Sequence, residues 1–165
     1  MTTIGKPKID TRPKQNYMGI RTISPFKGMS KAIGKLSDRL NAWVDEQNVK
    51  PSGPPFLRYH VIDMRGFMDI EFCFPVRRAL PDHGDVKAGV LPAGRYASLV
   101  FSGGGISGNR ALIEWVRAQG LDFDRWDTEQ GDNFRGRYEI YLTDPDVEPR
   151  KSKWEIEVAI KLADQ

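Results

Sequence analysis

The chain reads as an α+β protein: duplicated β-α-β-β halves with antiparallel sheets, a helix covering each half, and a central ligand groove. Three observations carry this reading. Strand-like and helix-like segments follow in the order β-α-β-β, linker, β-α-β-β. Within each half the last two strands are joined closely, which favours antiparallel pairing. Matching segments also recur in the same order in both halves, the mark of an internal repeat. The first helix ends Trp43-Val44-Asp45-Glu46-Gln47-Asn48-Val49 and the second Trp115-Val116-Arg117-Ala118-Gln119-Gly120-Leu121. The last strands read Ile70-Glu71-Phe72-Cys73-Phe74-Pro75-Val76 and Ile156-Glu157-Val158-Ala159-Ile160-Lys161-Leu162. The offset is 72 residues at the helices and 86 at the strands, so the second half carries a 14-residue insertion. The 165 residues suit one domain, with half one over about 7–76, a linker over 77–93 and half two over about 94–162.

Each element has its own justification. Residues 17–24 alternate Met18, Ile20 and Thr22 with Tyr17, Gly19 and Arg21, a strand pattern. Residues 28–47 carry Met29, Ile33, Leu36, Leu40 and Trp43 as one helical stripe, with Ser24 as a cap and Pro25 opening the turn. After the loop 48–55, strands are expected at 56–63 and 67–76, broken by Arg65-Gly66. Pro81, Gly84, Gly89 and Pro92 make 77–93 a linker. A strand at 94–102 ends at Gly103–Gly105, a helix follows over 108–119, an acidic segment runs to about 132, and strands at 134–143 and 153–162 close the chain.

Composition excludes several classes. One cysteine, Cys73, forbids an internal disulfide or a cysteine metal cluster. No apolar run approaches the ~20 residues of a membrane span. Residues 1–16 lack the apolar core of a secretory signal, so the expected location is cytoplasmic. Net charge is +3, but residues 1–39 hold nine Lys/Arg against two Asp, and residues 122–148 hold nine Asp/Glu against three Arg. The basic end reads as a solvated tail and helix face. Tyr17 and Phe26 are too few rings for a base-stacking platform, so no direct nucleic-acid binding is expected.

The glycine run Gly103-Gly104-Gly105-Ile106-Ser107-Gly108 matches a dinucleotide fingerprint, with Asp122 and Asp124 at ribose distance. The following GLDFDRW is too short and polar for the buried parallel strand such a unit needs, so a simple strand-to-helix turn is the better reading. Asp122, Asp124, Asp127, Glu129 and Asp132 lack the spacing of a calcium loop, and His60 and His83 lack neighbouring ligands for zinc. No metal and no cofactor is expected. The strand carboxylates say more. If their faces line the groove, it holds Glu71, Glu139 and Glu157 beside Tyr59, Tyr96 and Tyr141. Carboxylate and aromatic walls suit a lipophilic cation, and a carboxylate in an apolar pocket can exchange protons with a bound molecule.

The chain also resembles the GyrI-like small-molecule-binding domain, the effector-binding domain of bacterial multidrug-responsive transcription activators. The likeness spans about residues 7–162. It rests on Pro7–Pro13 leading into Tyr17–Arg21, on Gly53–Phe56 with Tyr59-His60, and on Asp69–Val76 and Leu91–Tyr96. It continues through Tyr138-Glu-Ile-Tyr141-Leu-Thr-Asp-Pro145 and Trp154-Glu-Ile-Glu157. The resemblance implies a duplicated fold around a central groove, with an acidic residue matching Glu157 that meets cationic or aromatic ligands. It also implies a stand-alone form, since the first strand begins near residue 17 and leaves no room for a helix-turn-helix. Two departures stand out: Gly105-Ile106-Ser107 where the family commonly has a Tyr, and Lys161 where it commonly has Pro.

Three functions follow as expectations. The first is a binding module for an amphipathic, aromatic or cationic small molecule, lined by Tyr59, Glu71, Tyr96, Glu139, Tyr141, Trp154 and Glu157. The second is a hydrolase of cyclopropane-type electrophiles with Glu157 as general acid or base and Tyr141 and Trp154 positioning the ligand. Simple alternation puts Trp154 and Glu157 on opposite faces, so this reading needs a bulge. The third is a protein-partner role in the manner of a gyrase inhibitor.

Overall fold

The structure is a computed structural model and describes residues 2–164. In chain order its elements are β1 (Thr3–Ile4), β2 (Lys8–Arg12), β3 (Gln15–Pro25), α1 (Met29–Glu46), β4 (Phe56–Ile62), β5 (Phe67–Pro75), β6 (Val86–Leu91) and β7 (Gly94–Ser102). There follow α2 (Gly105–Ala118), β8 (Arg125–Thr128), β9 (Gly131–Phe134), β10 (Arg137–Tyr141), a 3-10 turn (Lys151–Lys153) and β11 (Glu155–Lys161). The strands form one sheet ordered β1-β7-β11-β10-β4-β5-β3-β6, with β2 also on β7 and the β8–β9 hairpin hung on β4. Every ladder among the described residues is antiparallel, so the glycine run before α2 is a strand-to-helix turn and not part of a dinucleotide unit. Among the described residues no helix is long and apolar enough to cross a membrane.

The two halves share one register. Tyr17 faces Pro75 in the first and Tyr96 faces Lys161 in the second. Phe56 faces Cys73, and Tyr138 faces Ala159. The central strands β4 and β10 pair with each other. The edge strands are exchanged: β2 of the first half pairs with β7 of the second, and β6 pairs back onto β3, so Asp10 faces Tyr96 where Gly89 faces Tyr17.

Four local expectations are corrected. The linker 77–93 contains β6; Gly89 looked like a breaker, yet it is the residue a strand needs there, because a Cβ on it would lie 2.3 Å from the Tyr17 ring. The basic tail contains β1 and β2, whose Lys8 and Arg12 are the charges that edge strands carry. The acidic insertion folds as the β8–β9 hairpin, with Arg125 bridging Asp127 and Asp132. Ser24 does not cap α1: the strand runs on through Pro25 and the cap is Gly28 at φ 101, while α2 starts at Gly105 and not at 108.

Both helices lie on one face. Met68, Ile70, Phe72 and Phe74 alternate toward α1 and meet Leu40, Trp43 and Val44. Ala97, Leu99, Phe101, Val158 and Ile160 meet Leu112 and Val116 of α2. The opposite face has its own core of Tyr17, Phe56, Cys73, Leu91, Tyr96, Tyr138 and Ala159. It is buried because the sheet curls. Arg58 on β4 reaches the Val90 carbonyl on β6 at 3.0 Å, although three ladders of roughly 4.8 Å separate those strands. Arg12 on β2 reaches Tyr138 on β10 at 2.8 Å over the same number of ladders. Lys161 is explained locally. Its N–H donates to the Gly136 carbonyl at 2.7 Å, which proline could not do, and its buried ammonium holds Asp124 at 3.0 Å.

Candidate ligand site

Directly opposed residues across the sheet form rows, and one row passes between the helices. It reads Ile20, Phe72, Leu57, Glu139, Val158, Leu99 from β3 to β7. Glu139 is the one ionisable member, and it is only 8% exposed. A carboxylate costs most free energy in such a setting, so its partners define the site. The Tyr59 hydroxyl donates to Oε1. Asn109 Nδ2, from α2, donates to Oε2 at 3.1 Å and to the Gly105 carbonyl at 2.8 Å. Arg137 Nη2 donates to Asn109 Oδ1 at 2.7 Å, so a buried cation stands behind the carboxylate with one amide between them.

Burial, and next the Glu139 charge, hold the Tyr59 hydroxyl well above its ordinary range, so it stays a donor. Burial lowers the Arg137 guanidinium, which lies 4.6 Å over the Phe134 ring. The aromatic wall continues along the same face. Tyr141 stacks on Phe72 with centroids 6.2 Å apart and meets Trp154 edge-on at 6.3 Å. Burial raises the Tyr141 hydroxyl too. Trp154 Nε1 is fixed by the Glu148 carbonyl at 2.6 Å.

The seven residues singled out in the sequence divide between two faces. Tyr59, Glu139, Tyr141 and Trp154 meet on the helix-bearing face. Glu71, Tyr96 and Glu157 lie on the other, so one groove does not hold all seven. Glu71 accepts from the Tyr17 hydroxyl at 2.7 Å and lies 2.8 Å from His60 Nε2. Tyr96 donates to the Pro92 carbonyl at 2.7 Å. Glu157 pairs with Arg12 at 2.9 Å. The β11–β7 register runs unbroken from Glu155 to Lys161, so the bulge needed to bring Glu157 beside Trp154 is not there. Asn109 and Arg137 were missed. Asn109 sat in the first turn of the helix expected over 108–119, directly after the glycine run, and Arg137 inside the strand expected over 134–143, where a charge reads as solvated. Two surface concavities, of about 550 and 740 Å³, lie elsewhere: one beside Arg39, Trp43 and His83, the other beside Val49, Val76 and Leu80.

The architecture is a curled antiparallel sheet with both helices on one face, over a carboxylate and aromatic rings. Residues 5–163 match the GyrI-like small molecule binding domain, and the chain belongs to that family. The C-terminal domain of EcmrR is similar at 19% identity and TM-score 0.65, covering 98% of this chain and 99% of that one. Against EcmrR in its DNA complex the chain spans 58% of the relative's length, at 19% identity, TM-score 0.67 and 97% of this chain. A hydrolase from Listeria innocua aligns at 14% identity and TM-score 0.63, over 96% of this chain and 92% of its own. A protein solved bound to tetraphenylphosphonium aligns at 10% identity and TM-score 0.58, over 96% and 94%. No curated protein matches.

Proposed function

We propose that the chain binds an amphipathic, aromatic or cationic small molecule between α1 and α2, over Glu139 and against Tyr59, Tyr141 and Trp154. The observation that carries this reading is the single buried carboxylate in an otherwise apolar row between the helices. The carboxylate is held by Tyr59 and Asn109, and a ligand donor group placed on it would gain a charge-assisted hydrogen bond shielded from water. The family and the tetraphenylphosphonium-bound relative support a ligand of this class.

The test is a tryptophan-fluorescence titration with a panel of lipophilic cations and strained electrophiles on wild type and Glu139→Gln, with mass spectrometry of the recovered ligand. Saturable quenching weakened about tenfold or more by Glu139→Gln, with intact ligand recovered, supports a binding module. A mass gain of one water that tracks with Glu139 makes the protein a hydrolase. If that gain is lost instead in Glu157→Gln, the acid–base group lies on the opposite face. A response indifferent to Glu139 moves the function to a protein partner.

A further inference from the structure

The two surface concavities differ in charge. The one beside Trp43 and His83 mixes signs: Lys35 and Arg39 stand against Asp38, Glu46 and Asp85, and Arg39 is spent on Asp85. The other, of about 740 Å³, has an apolar floor of Val49, Val76 and Leu80, and its ionisable side chains are Lys50, Arg77 and Arg78, all cations. All three are exposed, and among the described residues none of them forms a salt bridge. The walls are fixed by the main chain. Asn48 ends α1 at φ 54, a left-handed turn that asparagine tolerates, and Val49 N–H donates to the Val44 carbonyl at 3.0 Å. Ser52 N–H ties the following loop to the Pro75 carbonyl at 2.8 Å. On the opposite wall the side-chain amides of Gln15 and Asn16 donate to the carbonyls of Val76 and Arg77 at 3.2 and 3.3 Å. Carbonyl oxygens repel an anion, and the chain's own donors take up these three, of Pro75, Val76 and Arg77.

We propose that this concavity is a second binding site, for a small amphiphilic anion. Its apolar body rests on Val49, Val76 and Leu80, and its oxyanion head, such as a carboxylate, lies among Lys50, Arg77 and Arg78. The inference is independent of the site over Glu139 and stands or falls without it. Three cations with no carboxylate beside them repel a lipophilic cation and favour the opposite charge. Exposed cations alone hold an ion weakly, so the apolar floor must supply part of the affinity, which calls for an amphiphile and not a bare inorganic anion. No aromatic ring lines the concavity, so a nucleic-acid base would find nothing to stack on. The volume is that of a small-molecule site, roughly 300–1,000 Å³.

Three probes with one ring body test it: naphthoate, neutral naphthamide and cationic naphthylmethylammonium. Binding is followed by amide NMR shifts of the labelled protein for wild type, Arg77→Ser/Arg78→Ser, Arg77→Lys/Arg78→Lys and Leu80→Ser. In wild type, naphthoate is expected to shift Val49, Val76 and Leu80 and to bind about fivefold or more tighter than naphthamide, with the cation weakest. The double serine variant changes only exposed side chains, so its fold should hold. It should weaken naphthoate about five- to tenfold and leave naphthamide nearly unchanged, while the double lysine variant restores most of the loss. Leu80→Ser should weaken naphthoate and naphthamide alike, because it removes floor and not charge. Naphthamide binding as tightly as naphthoate, or naphthoate binding indifferent to the double serine variant, overturns the inference. Shifts centred on Tyr59 and Asn109 instead would place the anion over Glu139 and overturn it too. No saturable shift at millimolar naphthoate overturns it as well, and leaves the Glu139 titration to be judged separately.

Discussion

The two faces of the sheet treat their carboxylates differently. On the face away from the helices, Glu71 and Glu157 occupy equivalent places in the two halves. Their partners are Tyr17 and His60 for Glu71 and Arg12 for Glu157, as Tyr59 and Asn109 are for Glu139. On the helix-bearing face the internal repeat is broken. Leu57 faces Phe72 in the first half, where Glu139 faces Val158 in the second. A duplicated fold needs its structural residues twice, because both halves must fold. A ligand needs its anchor once. The proposed function connects the carboxylate without a counterpart with binding, and the recurrent pair with holding the curled sheet together.

The largest effect that tests this contrast lies at high pH. The chain has five tyrosines, three on the Glu71 face (Tyr17, Tyr96, Tyr138) and two on the groove face (Tyr59, Tyr141). Burial raises all five hydroxyls above their ordinary range. A raised folded value means that the stability is present below the unfolded pKa of about 10 and is lost as pH rises beyond it. Five such groups give a slope of about 7 kcal/mol per pH unit once the unfolded tyrosines ionise. Tyrosinate absorbance should therefore stay flat through pH 10 and rise together with loss of circular dichroism near pH 11. Early titration of three tyrosines would mean that the Glu71 face opens before the groove.

At neutral pH the faces separate by mutation. Glu71→Ala leaves the Tyr17 hydroxyl and His60 without their acceptor and should cost about 2–4 kcal/mol in urea unfolding. Glu139→Gln keeps shape and acceptor, should cost about 1 kcal/mol, and should abolish the groove titration. The reverse pattern, with Glu71→Ala mild and Glu139→Gln unfolding the chain, would make Glu139 the structural residue.

Much of the fold was legible in the sequence because period carries it: the alternation in Ile156–Leu162 and the stripe from Met29 to Trp43 each name their own element. The edges were not legible. In β2, Lys8-Ile9-Asp10-Thr11-Arg12 reads as a tail because edge strands are charged, and β6 holds a glycine that only the partner strand's Tyr17 explains. The faces that carry the candidate residues were half legible. Alternation put Glu71, Glu139 and Glu157 together with Tyr59, Tyr96 and Tyr141, but it gives faces of one strand at a time. Which faces coincide depends on register between strands far apart in the chain, and that is what sets Glu71, Tyr96 and Glu157 on the other side.

Gly89 tests the edge exchange with a smaller effect. Its missing Cβ would lie 2.3 Å from Tyr17 Cζ and 2.5 Å from the hydroxyl, and that ring is buried. Gly89→Ala must push the ring and loosen its hydrogen bond to Glu71, at a cost of about 1–3 kcal/mol by chemical denaturation. Groove binding should be unchanged, because the disturbance is on the opposite face. A lost groove response would show that the two faces are coupled through the sheet.

The smallest effect is at the surface, where Arg39 of α1 grips Asp85 in the turn before β6. The Arg39 hydrogen bonds hold the Asp85 carboxyl below its ordinary range. A depressed folded value contributes stability above the unfolded pKa of about 3.9 that disappears as pH falls through that window. Both side chains are exposed, so salt screens the pair, and Arg39→Gln should flatten the acid limb of thermal stability only between about pH 5 and 3. At 1 M salt the wild-type and mutant curves should coincide. Glu71 offers the contrast: it is 5% exposed, so the stability lost in Glu71→Ala at neutral pH should survive the same salt. If both respond alike to salt, charge rather than burial governs the carboxylates of this sheet, and the separation between its two faces loses its physical basis.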